Sequence, residues 1–311
     1  MLHTQVSPKV TIIILHLKNV SLLVDCIASL KKITYRNYNI IVVHNGPENV
    51  SLRDALFPVY QHIAIIINTG KNLGYAQGNN VGIRQALRDG AEYVLLLNDD
   101  TEVAPDFLTK LIAVAEVQQD VGMLGSKIFL YDQPQQVWFA GASFDNKVCD
   151  ITTTEYDYGY KCEGNNIVES DYVTGCALLI RRKVLEEVGV LDKRFFLYWE
   201  DVDWGLRCIR EGYKNVIVMY SHIWHKASAS SGGVNSLPRV YHKTRSRLYM
   251  AKIYAPQALC KLQRGYFRDI VWLLLKSPDK SRIKRILACL LAIIDYYSGK
   301  TGKGPDWIWV K

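Results

Sequence analysis

Long apolar runs, paired thiols and low-complexity tracts are all missing from this 311-residue chain, and each absence removes a class of protein. A membrane-spanning helix needs roughly 18 to 20 apolar residues, and the longest tail stretches, IVWLLL and ILACLLAII, fall well short. No transmembrane helix is predicted. The seven cysteines (Cys26, Cys149, Cys162, Cys176, Cys208, Cys260 and Cys289) contain no CxxC pair and are odd in number. That argues against a zinc ribbon or a full disulfide framework, and for reduced thiols in a cytoplasmic protein. The N-terminal MLHTQVSPKV has no basic-then-apolar signal design. Acidic residues are scarce in one region. From Pro238 to Lys311 there are 16 Lys+Arg against 4 Asp+Glu, so that segment carries +12 and residues 1–237 carry −4 of the formal +8. Such asymmetry points to a polyanionic neighbour: nucleic acid, phosphorylated substrate or anionic lipid.

What is present is an alternation of strand and helix. VTIIIL (10–15), YNIIVVHNG (38–46), HIAIIINTG (62–70) and EYVLLL (92–97) are β-branched or leucine-rich runs suited to strands buried on both faces. Between and after them, SLLVDCIASLKK (21–32), NNVGIRQALRDG (79–90) and PDFLTKLIAVAEVQQ (105–119) space apolar residues as amphipathic helices. Asn19 or Ser21 is the expected cap of the first and Gly90 the end of the second. A parallel, doubly wound α/β sheet follows for this half. After residue 120 the pattern becomes mixed, and from about 239 it is helical, basic and amphipathic.

A doubly wound sheet binds ligands at the carboxyl ends of its strands. There stand the loops HLKN, HNGPEN, NTGKNLGYAQGNN and NDDTEV. Asp99 and Asp100 end the leucine strand as adjacent like charges, which a hard divalent cation would relieve; a solvated helix-capping loop is the plainer alternative. YWEDVDWGLR (198–207) sets Glu200 and Asp201 among aromatic rings, where partial desolvation raises a carboxyl pKa and suits it to take a proton. Acids in a helix's first turn have an ordinary electrostatic reason as well. SHIWH ends a later strand with His222 and His225, VTGCA (173–177) is a small-residue turn, and HKTRSRLYMAKIY places Arg245, Arg247 and Lys252 in one segment.

The run from Asn72 to Leu108, then DYVTGCALLIRRKVLEEVGVLDKRFFLYWEDVDWGLRCIREGY, then SHIWHKASAS, resembles the family 2 glycosyltransferases, closest in flavour to the rhamnosyltransferase-like bacterial branch. The likeness spans about residues 8–250, and AIIDYYSGKTGKGP resembles that branch's ending. It implies a GT-A fold, an α/β architecture with a Rossmann-like mixed sheet, over 1–237. The nucleotide-sugar half would be 1–120 and the acceptor half 121–237, followed by a helical extension over 238–311. It also implies a nucleotide-sugar donor (dTDP-rhamnose or a UDP-sugar), Mg²⁺ or Mn²⁺, and inversion at the anomeric carbon.

Carried over by position, Asp100 is the metal ligand with Asn98 and Asp99 beside it, and His225 meets the metal or diphosphate. Asp201 is the general base, supported by Glu200. Asn72, Gly74 and Asn79 line the donor site, Arg245 lies near the diphosphate, and Trp199, Gly175 and Cys176 are the acceptor contacts. The second strand ends in His44 where the family usually has an Asp that holds the nucleobase, so His44 and Asn45 take that place. Residues 256–311 read as interfacial helices against an anionic membrane surface, serving a glycan or lipid-diphosphate-linked acceptor. A helical cap or a homodimer contact is the alternative for the same segment. No nucleic-acid module is present. The rival functions are a non-catalytic carbohydrate-binding protein and a nucleotidyltransferase.

Overall fold

Strand β1 (Val10–His16) carries three successive isoleucines, Ile12 to Ile14, none of which reaches solvent. Each such side chain contributes about 1.5–3 kcal/mol by leaving water. The computed structural model describes residues 7–47, 52–153, 166–226, 236–276 and 281–309. In chain order the next elements are α1 (Val20–Leu30), β2 (Tyr38–His44), α2 (Leu52–Ala55), β3 (Ile65–Asn68), α3 (Gly74–Arg88), β4 (Tyr93–Asn98), β5 (Thr101–Val103) and α4 (Phe107–Val117). Then come β6 (Val121–Leu130), β7 (Val137–Phe139), β8 (Ala142–Asp145), β9 (Asp150–Thr153), β10 (Ile167–Glu169), β11 (Ala177–Arg181), α5 (Arg182–Val188), α6 (Glu200–Arg210) and β12 (Lys214–His225). Helices α7 (Leu237–Tyr254), α8 (Leu259–Leu275) and α9 (Arg282–Tyr297) close the chain.

The main path of the large sheet runs β10-β12-β6-β11-β4-β1-β2-β3. Its first half is parallel, as the buried strand runs require: β3, β2, β1 and β4 all point the same way. The second half is mixed, because β11 runs antiparallel to both β4 and β6. β12 then pairs parallel with β6, while β5 pairs antiparallel with the end of β12. The segment QVWFAGASFD forms two strands: β7 joins the large sheet, and β8 turns away at Gly141 to pair with β9.

The helix predicted from residue 79 begins five residues earlier, at Gly74. It packs on β1 and β2 through glycines: a Cβ on Gly82 would lie 2.6 Å from Ile13 Cγ2, and one on Gly78 2.6 Å from Leu15 Cδ1. Asn19 caps α1, its side chain accepting from Ser21 N. Helix α7 is part of the main core, with Leu248, Met250 and Ala251 fully buried, and α8 and α9 pack on it and on each other. No helix among the described residues is long and apolar enough to cross a membrane.

Two glycines set in helices should therefore respond in opposite directions. Gly82→Ala gains about 0.5–1 kcal/mol of helix propensity but forces a methyl into Ile13, an overpacking cost of about 1–3 kcal/mol, so it lowers stability. Gly265→Ala, in α8 with nothing within 4 Å of the added carbon, raises it. Urea unfolding of the two variants checks the contrast, and a stabilised Gly82→Ala would refute this packing.

Candidate active site

β4 delivers Asn98 to the carboxyl edge of the sheet, and the next three residues form a pinned turn. Thr101 Oγ1 donates to Asn98 O at 2.8 Å, and the Cys26 thiol donates to the same carbonyl. Thr101 opens β5 and sits opposite His225 of β12, while Lys226 N donates to Asp100 O at 2.8 Å. This pairing brings His225 Nε2 to 3.2 Å from Asp100 Oδ1, both residues being buried. Asp99 is held elsewhere: its Oδ2 lies 2.7 Å from Nδ1 of His16, at the end of β1. Burial pushes the Asp99 carboxyl up, and the His16 contact opposes that.

Asp100 and His225 suit a divalent cation as a pair. Two ligands about 2.1 Å from an ion and at right angles to each other stand about 3 Å apart, close to the spacing found here. Among the described residues no group of three His, Cys, Asp or Glu side chains is placed to hold a metal. A cation held here would complete its shell from water and substrate oxygens, the usual habit of Mg²⁺. His222, on the same strand, hydrogen-bonds Met219 O and meets Phe129 edge-on.

The second acidic group begins α6. Tyr198 and Trp199 both adopt the left-handed conformation, φ 68° and 74°, a strain for side-chain-bearing residues that recurs at functional sites. The turn is tied down on two sides: Tyr75 N, at the start of α3, donates to Phe196 O, and Ser246 Oγ of α7 donates to Leu197 O. Asp201 follows, with Oδ2 accepting from Gly175 N at 3.0 Å and Oδ1 from Val202 N at 2.9 Å. Glu200 is buried, and its Oε2 has no hydrogen-bond partner.

Burial pushes both carboxyls up, and Asp201's negative charge pushes Glu200 further. Amide donors at Gly175 and Val202 and the Thr174 hydroxyl hold Asp201 down in part. The amide donors on Asp201 and the unpartnered Oε2 of Glu200 favour the proton on Glu200 and the charge on Asp201.

β11 joins the two groups. Asn98 N donates to Cys176 O at 2.9 Å, so the residue preceding the Asp pair is bonded to the residue after Gly175, whose amide binds Asp201. The Cys176 thiol is buried between them and pushed well up, first by burial, then by the charges of Asp100, Cys26 and Asp201. Tyr75 OH donates to Gly175 O, and an added Cβ at Gly175 would collide with that hydroxyl at 2.5 Å.

Just past the end of β2, Asn45 clamps the glycine loop. Its amide donates to Gly74 O at 3.0 Å and its oxygen accepts from Leu73 N at 2.9 Å, while Asn72 Oδ1 accepts from Gly74 N. Asn79 is bonded within α3 to Tyr75 O. His44 donates from Nε2 to Pro47 O, so its Nδ1 is an acceptor; that atom is buried without a hydrogen-bond partner.

Arg245 requires correction. It is fully buried, donating to Tyr241 OH at 2.7 Å and to Gly302 O, and so binds the C-terminal tail rather than lying open to a diphosphate. It does not share a face with Arg247, which binds Asp150 and Cys149 O, because two residues turn an α-helix by roughly 200°. The basic residues that do share a face of α7 are Arg239, Lys243 and Arg247, spaced by four. His16 and Tyr75 are also site neighbours that the sequence motifs did not single out.

The mixed sheet, with acids at the end of β4 and the start of α6, defines a GT-A nucleotide-sugar transferase fold. GalNAc-T7, solved with UDP, GalNAc and Mn²⁺, superposes with a TM-score of 0.65 at 15% identity, over 98% of this chain and 56% of that one. Residues 11–189 match glycosyl transferase family 2, and the chain belongs to that family. It is 25% identical over 285 residues to the dTDP-rhamnosyl transferase RfbF of Shigella flexneri, covering 89% of this chain and 92% of that protein. It is 25% identical over 242 residues to the N-acetylglucosaminyl-diphospho-decaprenol L-rhamnosyltransferase of Mycobacterium tuberculosis, covering 72% and 78%.

The buried acid pair has a pH signature. A carboxyl raised on folding stabilises the fold below its unfolded pKa and loses that contribution as pH rises through its folded value. Glu200→Gln should thus match the parent near pH 4.5 and become progressively more stable than it toward pH 8. Urea midpoints across that range check this, and parallel curves would mean that Glu200 is not buried as described.

Proposed function

We propose that this chain is an inverting, metal-assisted glycosyltransferase that moves a sugar from a nucleotide diphosphate to a hydroxyl of a surface-glycan acceptor. The single observation that carries the reading is the link through the start of β11, where Cys176 O accepts from Asn98 N, beside Asp100, and the Gly175 amide donates to Asp201. The names of the relatives favour dTDP-rhamnose as donor and a lipid-diphosphate-linked glycan as acceptor.

On this reading Asp100 and His225 would hold Mg²⁺ or Mn²⁺, which would supply positive charge against the donor diphosphate. Asp201 accepts the proton of the attacking hydroxyl. Its two amide donors orient the carboxylate, and neutral Glu200 beside it keeps a second negative charge out of the pocket. The clamp of Asn45 and Asn72 presets the donor loop, and the free lone pair of His44 Nδ1 can accept a base N–H where a carboxylate would otherwise do so.

The tail fits an anionic membrane surface. Phe267, Trp272 and Leu275 on α8 and Leu287 and Ile294 on α9 are exposed among Lys and Arg, the composition of an interfacial helix pair.

Asp201→Asn should lower kcat by about 10²–10⁴ while dTDP-rhamnose or UDP-sugar binding stays within twofold, as single-turnover assay and calorimetry would report. Asp100→Ala should instead weaken Mn²⁺-dependent donor binding. Near-normal turnover by Asp201→Asn would exclude it as the base. For the tail, a Phe267→Ser/Trp272→Ser/Leu275→Ser variant should stop floating with phosphatidylglycerol vesicles that carry the parent chain; equal flotation would reject the interfacial reading.

A further inference from the structure

A cavity of about 350 Å³ lies between α7, α8, α9 and the strained turn before Asp201. Trp199 lines it, as do Arg239, Lys243 and Arg247 from one face of α7, and Ile270 and Leu273 from α8. The acids on its wall are Asp150 and Asp269. Asp150 is neutralised by Arg247 at 2.9 Å, and Asp269 lies 3.9 Å from Arg268. Arg239 and Lys243 pair with no carboxylate among the described residues; each instead faces the Tyr198 ring, at 5.8 and 5.6 Å.

Two cations without counter-ions in a concave site, with apolar walls behind them, fit an anion that carries a hydrocarbon. Lys243 bears the mark of that setting. Its pKa is held down, by partial burial first and then by Arg239, while the charges of Asp150 and Asp201 act on it in the opposite sense.

We infer that this cavity binds the diphosphate of a prenyl-diphosphate-linked acceptor, with Arg239 and Lys243 on the phosphates and the first isoprene units against Ile270 and Leu273. This rests on the transferase reading and adds to it the docking point of the acceptor's diphosphate. The sugar would extend past Trp199 toward Asp201, and the rest of the lipid would leave along the exposed apolar residues of α8 and α9.

The probe is farnesyl diphosphate, titrated calorimetrically into the full chain without nucleotide. Saturable binding is expected, weakened at least tenfold in Arg239→Gln/Lys243→Gln, with farnesol and inorganic pyrophosphate each binding at least tenfold more weakly than the probe. Lys243→Glu, whose side chain lines the cavity and also reaches solvent, gives the same loss, and a urea midpoint equal to the parent's shows that the fold is kept. Three results would overturn the inference: variants that bind within twofold of the parent, displacement of the probe by UDP or dTDP, or equal competition from phosphatidylglycerol vesicles, which would mark a general headgroup site. Nucleotide-sugar binding is followed separately. Its failure would count against sugar transfer, whereas loss of probe binding alone would count against the acceptor site.

Discussion

The antiparallel insertion of β11 between β4 and β6 is the constraint on which the site depends. A strand running with its neighbours would bring its carboxyl end to the edge where β4 ends. Running against them, β11 brings its amino end there, so the Thr174–Cys176 turn lies beside Asn98. In this register Ala177 stands opposite Leu97 and Leu178 opposite Gly125. That same register aims the Gly175 amide at Asp201. Two acidic groups about 100 residues apart are thereby tied through one main-chain bond, Asn98 N to Cys176 O, and one bond from the Gly175 amide to the Asp201 side chain.

Four carboxyl groups then belong to the site, Asp100 and Glu200 buried and Asp99 and Asp201 half-buried, and each is treated differently. Asp99 is paired with His16, Asp100 faces His225, Asp201 receives two amides, and Glu200 receives nothing at Oε2. The differences matter more than the burial they share. An acid given donors keeps its charge, while one left without them keeps its proton, so adjacent residues of one helix turn acquire opposite protonation preferences. The surrounding apolar packing sharpens that split by removing the water that would level it.

Local signals were readable where a single segment decides the outcome. The β-branched runs gave β1 and β2 within a residue or two, because strands covered on both faces must be apolar throughout. Asp100 and His225 stood out as polar residues at element ends, and their side chains stand 3.2 Å apart. The direction of β11 was not readable, since ALLIR reads alike either way and only its neighbours choose. His16 went unremarked because its partner is 83 residues away. Arg245 was misjudged by counting charge along the chain rather than around the helix: the spacing of Arg239, Lys243 and Arg247 marks the open face, and Arg245 falls on the other. The early start of α3 was hidden because Gly74 has φ +82° and a Cβ there would lie 2.3 Å from Phe196 O, a contact visible only in the fold.

The basic tail therefore has two distinct roles written into one helix. Facing inward, Arg245 ties α7 to Tyr241 and Gly302, and Leu248 and Met250 complete the main core, so the tail cannot be removed without opening the domain. Facing outward, Arg239 and Lys243 hold their charges over Tyr198, one of two consecutive residues in a conformation that costs about 1–3 kcal/mol each. That strain is sustained by contacts from α3 and α7 on either side, and its effect is to start α6 abruptly, so that Glu200 and Asp201 follow the bend with no intervening loop. A ligand bound by those cations would rest on the structure that positions Asp201, so acceptor capture and orientation of the base would share one mechanical support.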